Sequence, residues 1–181
     1  MAVHSPRLTL RPFEIGDISE AYVGWLNDPE VVRFLETRYA KQDMKTVREY
    51  VSTMIGRANE YFYGIFLRQT QRHIGNIKVG PVSRVHALGD ISLVIGARDC
   101  WGQGYATEAI RAMSLHAFED LGVRKLSAGM YAPNVASMRA FERAGFTQEG
   151  IRREHYLLEG EPCDVIQLAL LRKEVLPEKT G

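Results

Sequence analysis

The sequence predicts a mixed α/β (α+β) fold, a central β-sheet of about seven strands flanked by helices. Three observations carry this expectation. Short apolar and β-branched runs alternate with segments whose apolar residues recur at helical spacing. Their order is strand, helices, three strands, helix, strand, helix, two strands. A glycine-rich junction, Trp101-Gly102-Gln103-Gly104-Tyr105-Ala106-Thr107-Glu108-Ala109, joins the run Ile91 to Ile95 to an amphipathic helix.

Each element has a local reason. Arg7 to Phe13 alternates apolar and polar residues and includes Pro12, which reads as an edge strand. Asp17 can cap a helix through Ala21, Tyr22 and Trp25, and Asn27-Asp28-Pro29 ends it. Pro29 suits the start of a short second helix holding Val31, Val32 and Leu35. In Met44 to Ala58, Val47, Val51, Met54 and Ile55 fall on one helical face. Tyr61 to Leu67, His73 to Val82 and Asp90 to Gly96 read as strands, with a polar turn over Arg68 to Arg72. The helix after the glycine junction runs to about Leu121, with Gly122 as a C-cap. Val123 to Tyr131 reads as a strand, Asn134 to Ala144 as a helix closed by Gly145, and Phe146 to Leu157 with Cys163 to Leu171 as a hairpin turning at Glu159-Gly160.

The bulk properties narrow the function classes. The 181 residues suit one domain, 1–181, with a real core, and no repeat or linker divides them. A formal net charge of +1 gives no case for nucleic acid as a partner. Cys100 and Cys163 are too few for a disulfide framework and fit a reducing compartment. No segment approaches the ~20 apolar residues of a membrane span, and no apolar signal run opens the chain, so the expectation is a cytoplasmic protein with no membrane partner. His4, His73, His86, His116 and His155 show no metal-ligand spacing, so no metal is expected.

The glycine junction carries the most chemistry. Alternating Gly102, Gly104 and Ala106 leave backbone N–H groups of a turn uncovered, and the helix behind adds partial positive charge. That combination forms an anion site suited to a pyrophosphate. It approximates a dinucleotide fingerprint, but the third position is Thr107 and the junction lies behind several strands.

Two motifs together resemble the GNAT acetyltransferase superfamily, most closely the branch that includes the ribosomal-protein N-terminal (Rim-type) acetyltransferases. The first is Trp101-Gly102-Gln103-Gly104-Tyr105-Ala106, with Trp101 where the family often has Gln or Arg. The second is Asn134-Val135-Ala136-Ser137 followed by Glu142-Arg143-Ala144-Gly145-Phe146. The resemblance spans nearly the whole chain and implies a GNAT fold with splayed central strands at the cofactor site. It implies acetyl transfer from acetyl-CoA to a primary amine, with no metal and no covalent intermediate. Amides of Gly102, Gln103, Gly104, Tyr105, Ala106 and Thr107 would cradle the pyrophosphate, with Trp101 in the same cofactor site. Leu93, Val94 and Ile95 would offer backbone groups to the pantetheine arm, and Asn134 and Ser137 would contact it.

The resemblance also suggests catalytic roles. Many relatives carry a tyrosine further along the second helix, where this chain has Phe141. Ser137 is therefore the candidate acid or oxyanion-side group, with Tyr131 second. Asp90 stands where relatives often carry Glu and is the candidate base through water. Each has a plain alternative: Asn134 as a helix cap, Asp90 as a solvated strand-end charge, Glu108 as a dipole-stabilising surface residue. Trp25-Leu26-Asn27-Asp28-Pro29-Glu30 resembles strings in Rim-type relatives and in enzymes that acetylate nucleotide-linked amino sugars. It places Trp25 and Asn27 in the acceptor wall; separately, His155 and Tyr156 on the terminal hairpin are expected to line the acceptor cleft. The implied acceptor is a protein N-terminal α-amine, or else a nucleotide-linked amino sugar. A non-catalytic acetyl-CoA-binding module is the rival from another class. A homodimer is an expected partner state, because dimers are common in the family.

Overall fold

The computed structural model describes residues 1–176. Its strands form one eight-stranded mixed sheet in the order β1-β2-β3-β4-β5-β6-β8-β7. These are β1 (Val3–His4), β2 (Leu8–Pro12), β3 (Tyr61–Leu67), β4 (His73–Val79), β5 (Leu88–Ile95), β6 (Lys125–Tyr131), β7 (Thr147–Leu158) and β8 (Glu161–Leu171). The helices are α1 (Glu20–Trp25), α2 (Pro29–Val32), α3 (Met44–Ile55), α4 (Tyr105–Glu119), α5 (Val135–Arg143) and α6 (Arg172–Val175).

Several expectations are corrected. The sheet has eight strands rather than about seven, because Val3–His4 pairs outside β2. The Arg7 to Phe13 run is therefore internal, with Pro12 tolerated as the last residue of its strand. Ser19, not Asp17, caps α1, its side chain accepting from Tyr22 N. Asp17 sits in a 3-10 turn, Ile15–Asp17, and its carboxylate is held by the Arg11 guanidinium at 2.7 and 2.5 Å. Leu35 falls beyond α2. Asp120 is the C-cap of α4, and Gly122 follows at φ +70°.

The period of two along β3 sorts the core into two faces. Tyr63 packs with Ile77, Ile91, Leu126 and α4 residues Ile110, Met113 and Ala117. Phe62 packs on the other face with Phe13, with Tyr22 of α1 and with Val47 and Val51 of α3. Beyond β4 this second face opens. Ile91, Leu126 and Ala128 point into the α4 core, so Asp90, Ser92, Ser127, Gly129 and Tyr131 point away from it. Asp90, Ser92 and Gly129 are exposed there, forming a polar trough.

Strand β5 is parallel to β6 only over Leu88–Asp90 against Lys125–Ser127. Beyond that point β5 stays with β4 as far as Ile95, and β6 stays with β8 as far as Tyr131. The C-terminal ends diverge. Gly80 N donates to Asp90 O at 2.8 Å, so the backbone groups of Asp90, Ser92 and Val94 face β4. Those of Ile91, Leu93 and Ile95 face the gap.

His73 anchors the helical side of the sheet. Its ring sits among Phe13, Trp25 and Phe66 at 4.9–5.0 Å and Tyr22 at 5.6 Å. Nε2 lies 2.8 Å from Gly75 O and is therefore the protonated nitrogen. Burial pushes the imidazole pKa down to about 4, against the opposing Gly75 bond and Asp17 charge. A depressed histidine pKa means the unfolded chain binds the extra proton between about pH 4 and 6.5. Stability therefore rises with pH across that window and falls on acidification, by up to about 1.4 kcal/mol per pH unit. Denaturant unfolding of the parent and of His73→Phe across this range tests it: the variant should lose close to one proton of linkage. An identical pH slope in both would contradict the assignment.

Candidate active site

The glycine junction is built as an anion cradle. Gly102 and Gly104 adopt φ +73° and +80°, left-handed values that favour glycine. Gly104 is the N-cap of the 15-residue α4. Glu108 N donates to Gly104 O, but among the described residues the N–H groups from Gly102 to Thr107 have no protein acceptor. A helix start always leaves its first amides unpaired, and here the preceding turn extends the row. A side-chain carbon at Gly102 would meet nothing within 4 Å, and at Gly104 only Arg7 Nη2 at 3.6 Å. Open amides, a helix dipole and open space fit a pyrophosphate.

Side chains brace the cradle from below. Trp101 Nε1 donates to Ile95 O at 2.7 Å, tying the loop to the end of β5. Gln103 Nε2 donates to Asp99 O at 2.5 Å, and Arg72 grips Asp99 at 2.6 and 2.7 Å. Arg7 Nη1 donates to Gln103 O at 3.0 Å while its guanidinium lies 4.4 Å over the Tyr105 ring. Glu108 accepts from Ser5 Oγ, Arg7 N and Arg7 Nε, each at 2.7 Å. Burial alone would raise the Glu108 pKa, but those bonds and the Arg7 charge hold it below the ordinary carboxylate value. Glu108 thus latches the N-terminal segment to α4. Sequence reasoning missed Arg7, because 101 residues separate it from Glu108 and no local motif joins them.

The gap between β5 and β6 receives the other predicted cofactor groups. Leu93 and Ile95 present backbone to it, although Ile95 O is already occupied by Trp101. Val94 turns its backbone to β4 and can offer only its side chain. Asn134 Oδ1 accepts from Ser137 N at 3.3 Å and caps α5, leaving the Asn134 NH2 free among the described residues. Ser137 lies half-buried in the first turn of α5. Thr107 Oγ1 donates to Ala140 O at 3.4 Å, joining the first turn of α4 to the C-terminal half of α5. Ala106 is half-buried in the first turn of α4. Both helices follow the C-terminal ends of the one parallel strand pair, the place where α/β sheets bind ligands.

The acceptor-side predictions divide. Tyr131 ends β6 with its ring near Phe34 at 6.1 Å and Tyr156 at 5.4 Å. Its hydroxyl donates to Glu36 Oε1 and accepts from Arg38 Nη2, each at 2.8 Å. Burial raises its pKa, with Glu36 adding to the rise and Arg38 opposing it. Asp90 lies in the trough on the same face, and partial desolvation by the flanking strands raises its pKa against the charges of Lys78 and Arg152. His155 lies 3.3 Å from Arg152, its ring tilted against that of Tyr156 at 4.6 Å. Trp25 lies on the packed part of this face, at the end of α1. It closes over Gly96, where a side-chain carbon would come within 2.2 Å of its ring, and it joins the His73 nest. Asn27 clips Val23 O to Gln42 O and N at 2.9 Å each. It also borders a cavity of about 650 Å³ between Pro29–Lys41 and the Leu157–Gly160 turn, with Arg38 in its wall. Glu36 and Arg38 were not legible as site residues, since only the folded chain sets them against Tyr131.

Comparison with known proteins agrees with this geometry. Residues 7–147 match the family described as acetyltransferase (GNAT) domain. The chain is 26% identical over 178 residues to the uncharacterized N-acetyltransferase p20 of Bacillus licheniformis, covering 95% of this chain and 97% of that one. Spermidine N-acetyltransferase from Vibrio cholerae, solved with CoA and spermine, superposes with a TM-score of 0.83 at 21% identity, covering 93% of this chain and 98% of that one. RimL, a ribosomal L7/L12 alpha-N-protein acetyltransferase solved with CoA, superposes with a TM-score of 0.84 at 20% identity, covering 94% of this chain and 98% of that one. The chain belongs to the GNAT acetyltransferase family and is an acetyl-CoA-dependent N-acetyltransferase.

A branched side chain at the cradle should abolish its use. Gly104→Val puts a β-branched residue at φ +80°, costing about 1–2 kcal/mol of stability, and crowds the amides. We expect a folded protein whose CoA affinity, by calorimetry, drops at least about tenfold, equivalent to ~1.4 kcal/mol. Parental affinity in a folded variant would refute the cradle.

Proposed function

We propose that this enzyme acetylates the N-terminal α-amine of a protein or peptide by direct transfer. The observation that carries the proposal is the open trough carrying Asp90 and reaching Tyr131 beside the strand gap. An extended chain can lie along such a face with its terminus in the gap. RimL and the spermidine enzyme share this fold equally well, so the open trough, not the fold, selects the peptide acceptor.

Acetyl-CoA held by the cradle supplies the thioester that the amine attacks. The acceptor arrives largely as an ammonium and must lose a proton before its nitrogen can bond to carbon. Asp90, its pKa raised by partial desolvation, takes that proton through a water molecule in the trough. Partial positive charge at the α5 N-terminus and the free Asn134 NH2 stabilise charge at the gap. As the carbon–sulfur bond breaks, the Ser137 hydroxyl passes its proton to the leaving sulfur and takes the surplus proton from the newly bonded nitrogen, leaving a neutral amide, a free thiol and a restored hydroxyl. Tyr131 is the second choice for this step because its own proton is held by Glu36.

For Asp90→Asn we expect kcat to fall by about 10²-fold or more, the usual range for a lost general base, with nearly unchanged acetyl-CoA affinity. Unchanged turnover between about pH 6 and 9 would remove Asp90 from the reaction. The acceptor class is tested by thiol release from acetyl-CoA against free-N-terminus peptides, amino-sugar nucleotides and spermidine. Release with peptides supports the proposal. Release confined to sugars or to spermidine refutes it, and silence with intact CoA binding favours a non-catalytic module.

A further inference from the structure

Glu36 has no direct role in the reaction as described so far, yet it lies against the hydroxyl of the buried Tyr131. It sits in the 3-10 turn Glu36–Tyr39, and its Oε1 is 2.8 Å from the Tyr131 hydroxyl. The Glu36 side chain remains 70% exposed, whereas Tyr131 as a residue is 5% exposed. The carboxylate therefore stands at the boundary between solvent and the floor of the gap.

Arg38 fixes this arrangement. Its side chain is 13% exposed, and Nη1 donates to Leu35 O at 2.9 Å. Nη2 donates to Tyr131 Oη at 2.8 Å, Tyr39 Oη at 2.5 Å and Leu157 O at 3.2 Å. One guanidinium thus buckles the turn to the tip of the β7–β8 hairpin and to the end of β6. The Tyr131 hydroxyl, accepting from Arg38, can donate only outward, to Glu36. Across the open side, Glu36 lies 3.6 Å from Arg38 Nη1, and among the described residues its Oε2 has no hydrogen-bond partner.

Building on the acceptor reading above, we propose that Glu36 is the seat for the acceptor's ammonium group, held in place by Tyr131 and Arg38. A carboxylate that is tied at one oxygen and solvent-facing at the other is pre-organised to accept two or three N–H bonds from a primary ammonium. An uncharged acyl amide offers neither the charge nor those donors, so the same contact releases the product. Glu36 recognises substrate, and Tyr131 and Arg38 position Glu36.

The test is equilibrium binding to the CoA-saturated protein of a short peptide with a free N-terminus and of its N-acetylated twin. The parent should prefer the free amine by about ten- to a hundredfold, the range of one charge-assisted contact. Glu36→Gln should erase that preference while keeping CoA affinity and thermal midpoint. Glu36→Asp should restore part of it, and Tyr131→Phe combined with Glu36→Gln should add no further loss. Equal affinity for both peptides in the parent, or a preference that survives Glu36→Gln, would overturn the proposal. Turnover is scored separately, so an inert but amine-selective protein would refute the acceptor reading and leave the Glu36 seat supported.

Discussion

The divergence of β5 from β6 is the constraint on which the rest of the molecule depends. Three consecutive residues on each strand share a parallel register, and then each strand follows its other neighbour. Parallel strands normally continue their ladder, because unpaired backbone groups are costly when buried. Here Leu93 is left with backbone groups facing a gap, and only a ligand or water can satisfy them. The same divergence opens the space into which the starts of α4 and α5 point. The gap and the open α4 amides have the geometry to take an extended arm along the strand end and phosphates at the helix start.

The surrounding structure holds that opening at a fixed width. On one side, the Arg7–Glu108 latch, the Trp101 bond to Ile95 O and the Arg72–Asp99 pair fix the loop. Exposed ion pairs of this kind contribute about 0.2–1 kcal/mol each, so their value lies in geometry more than stability. On the other side, Arg38 ties the acceptor turn to the hairpin. The stability resides instead in the two apolar faces, including the neutral His73 in its aromatic nest. Burying a neutral imidazole there gives rigid packing at neutral pH and a liability in acid.

How much of this was legible in the sequence follows from the range of the interactions. The glycine cradle, the Asn134 cap and the order of strands are written in neighbouring residues, where turn chemistry and periodicity act. The edge assignment of β2 failed because Val3–His4 is too short to carry a periodic signal. The cap of α1 was misplaced because Arg11, six residues away, competes for Asp17. Trp25 was assigned to the acceptor wall by a local string, and only packing against Gly96 and His73 shows where its ring goes. Glu36 and Arg38 meet Tyr131 across more than ninety residues of chain, a relation no local pattern encodes.

We propose that the open amides of Gly102–Thr107 and the gap beside Leu93 form one cofactor site. The most direct measurement is the backbone amide nuclear magnetic resonance spectrum of the protein titrated with CoA. The largest shifts should fall on Gly102 to Thr107, on Leu93 and Ile95, and on Asn134 to Ser137. Largest shifts around the cavity between Pro29–Lys41 and Leu157–Gly160, with the glycine loop unmoved, would contradict it.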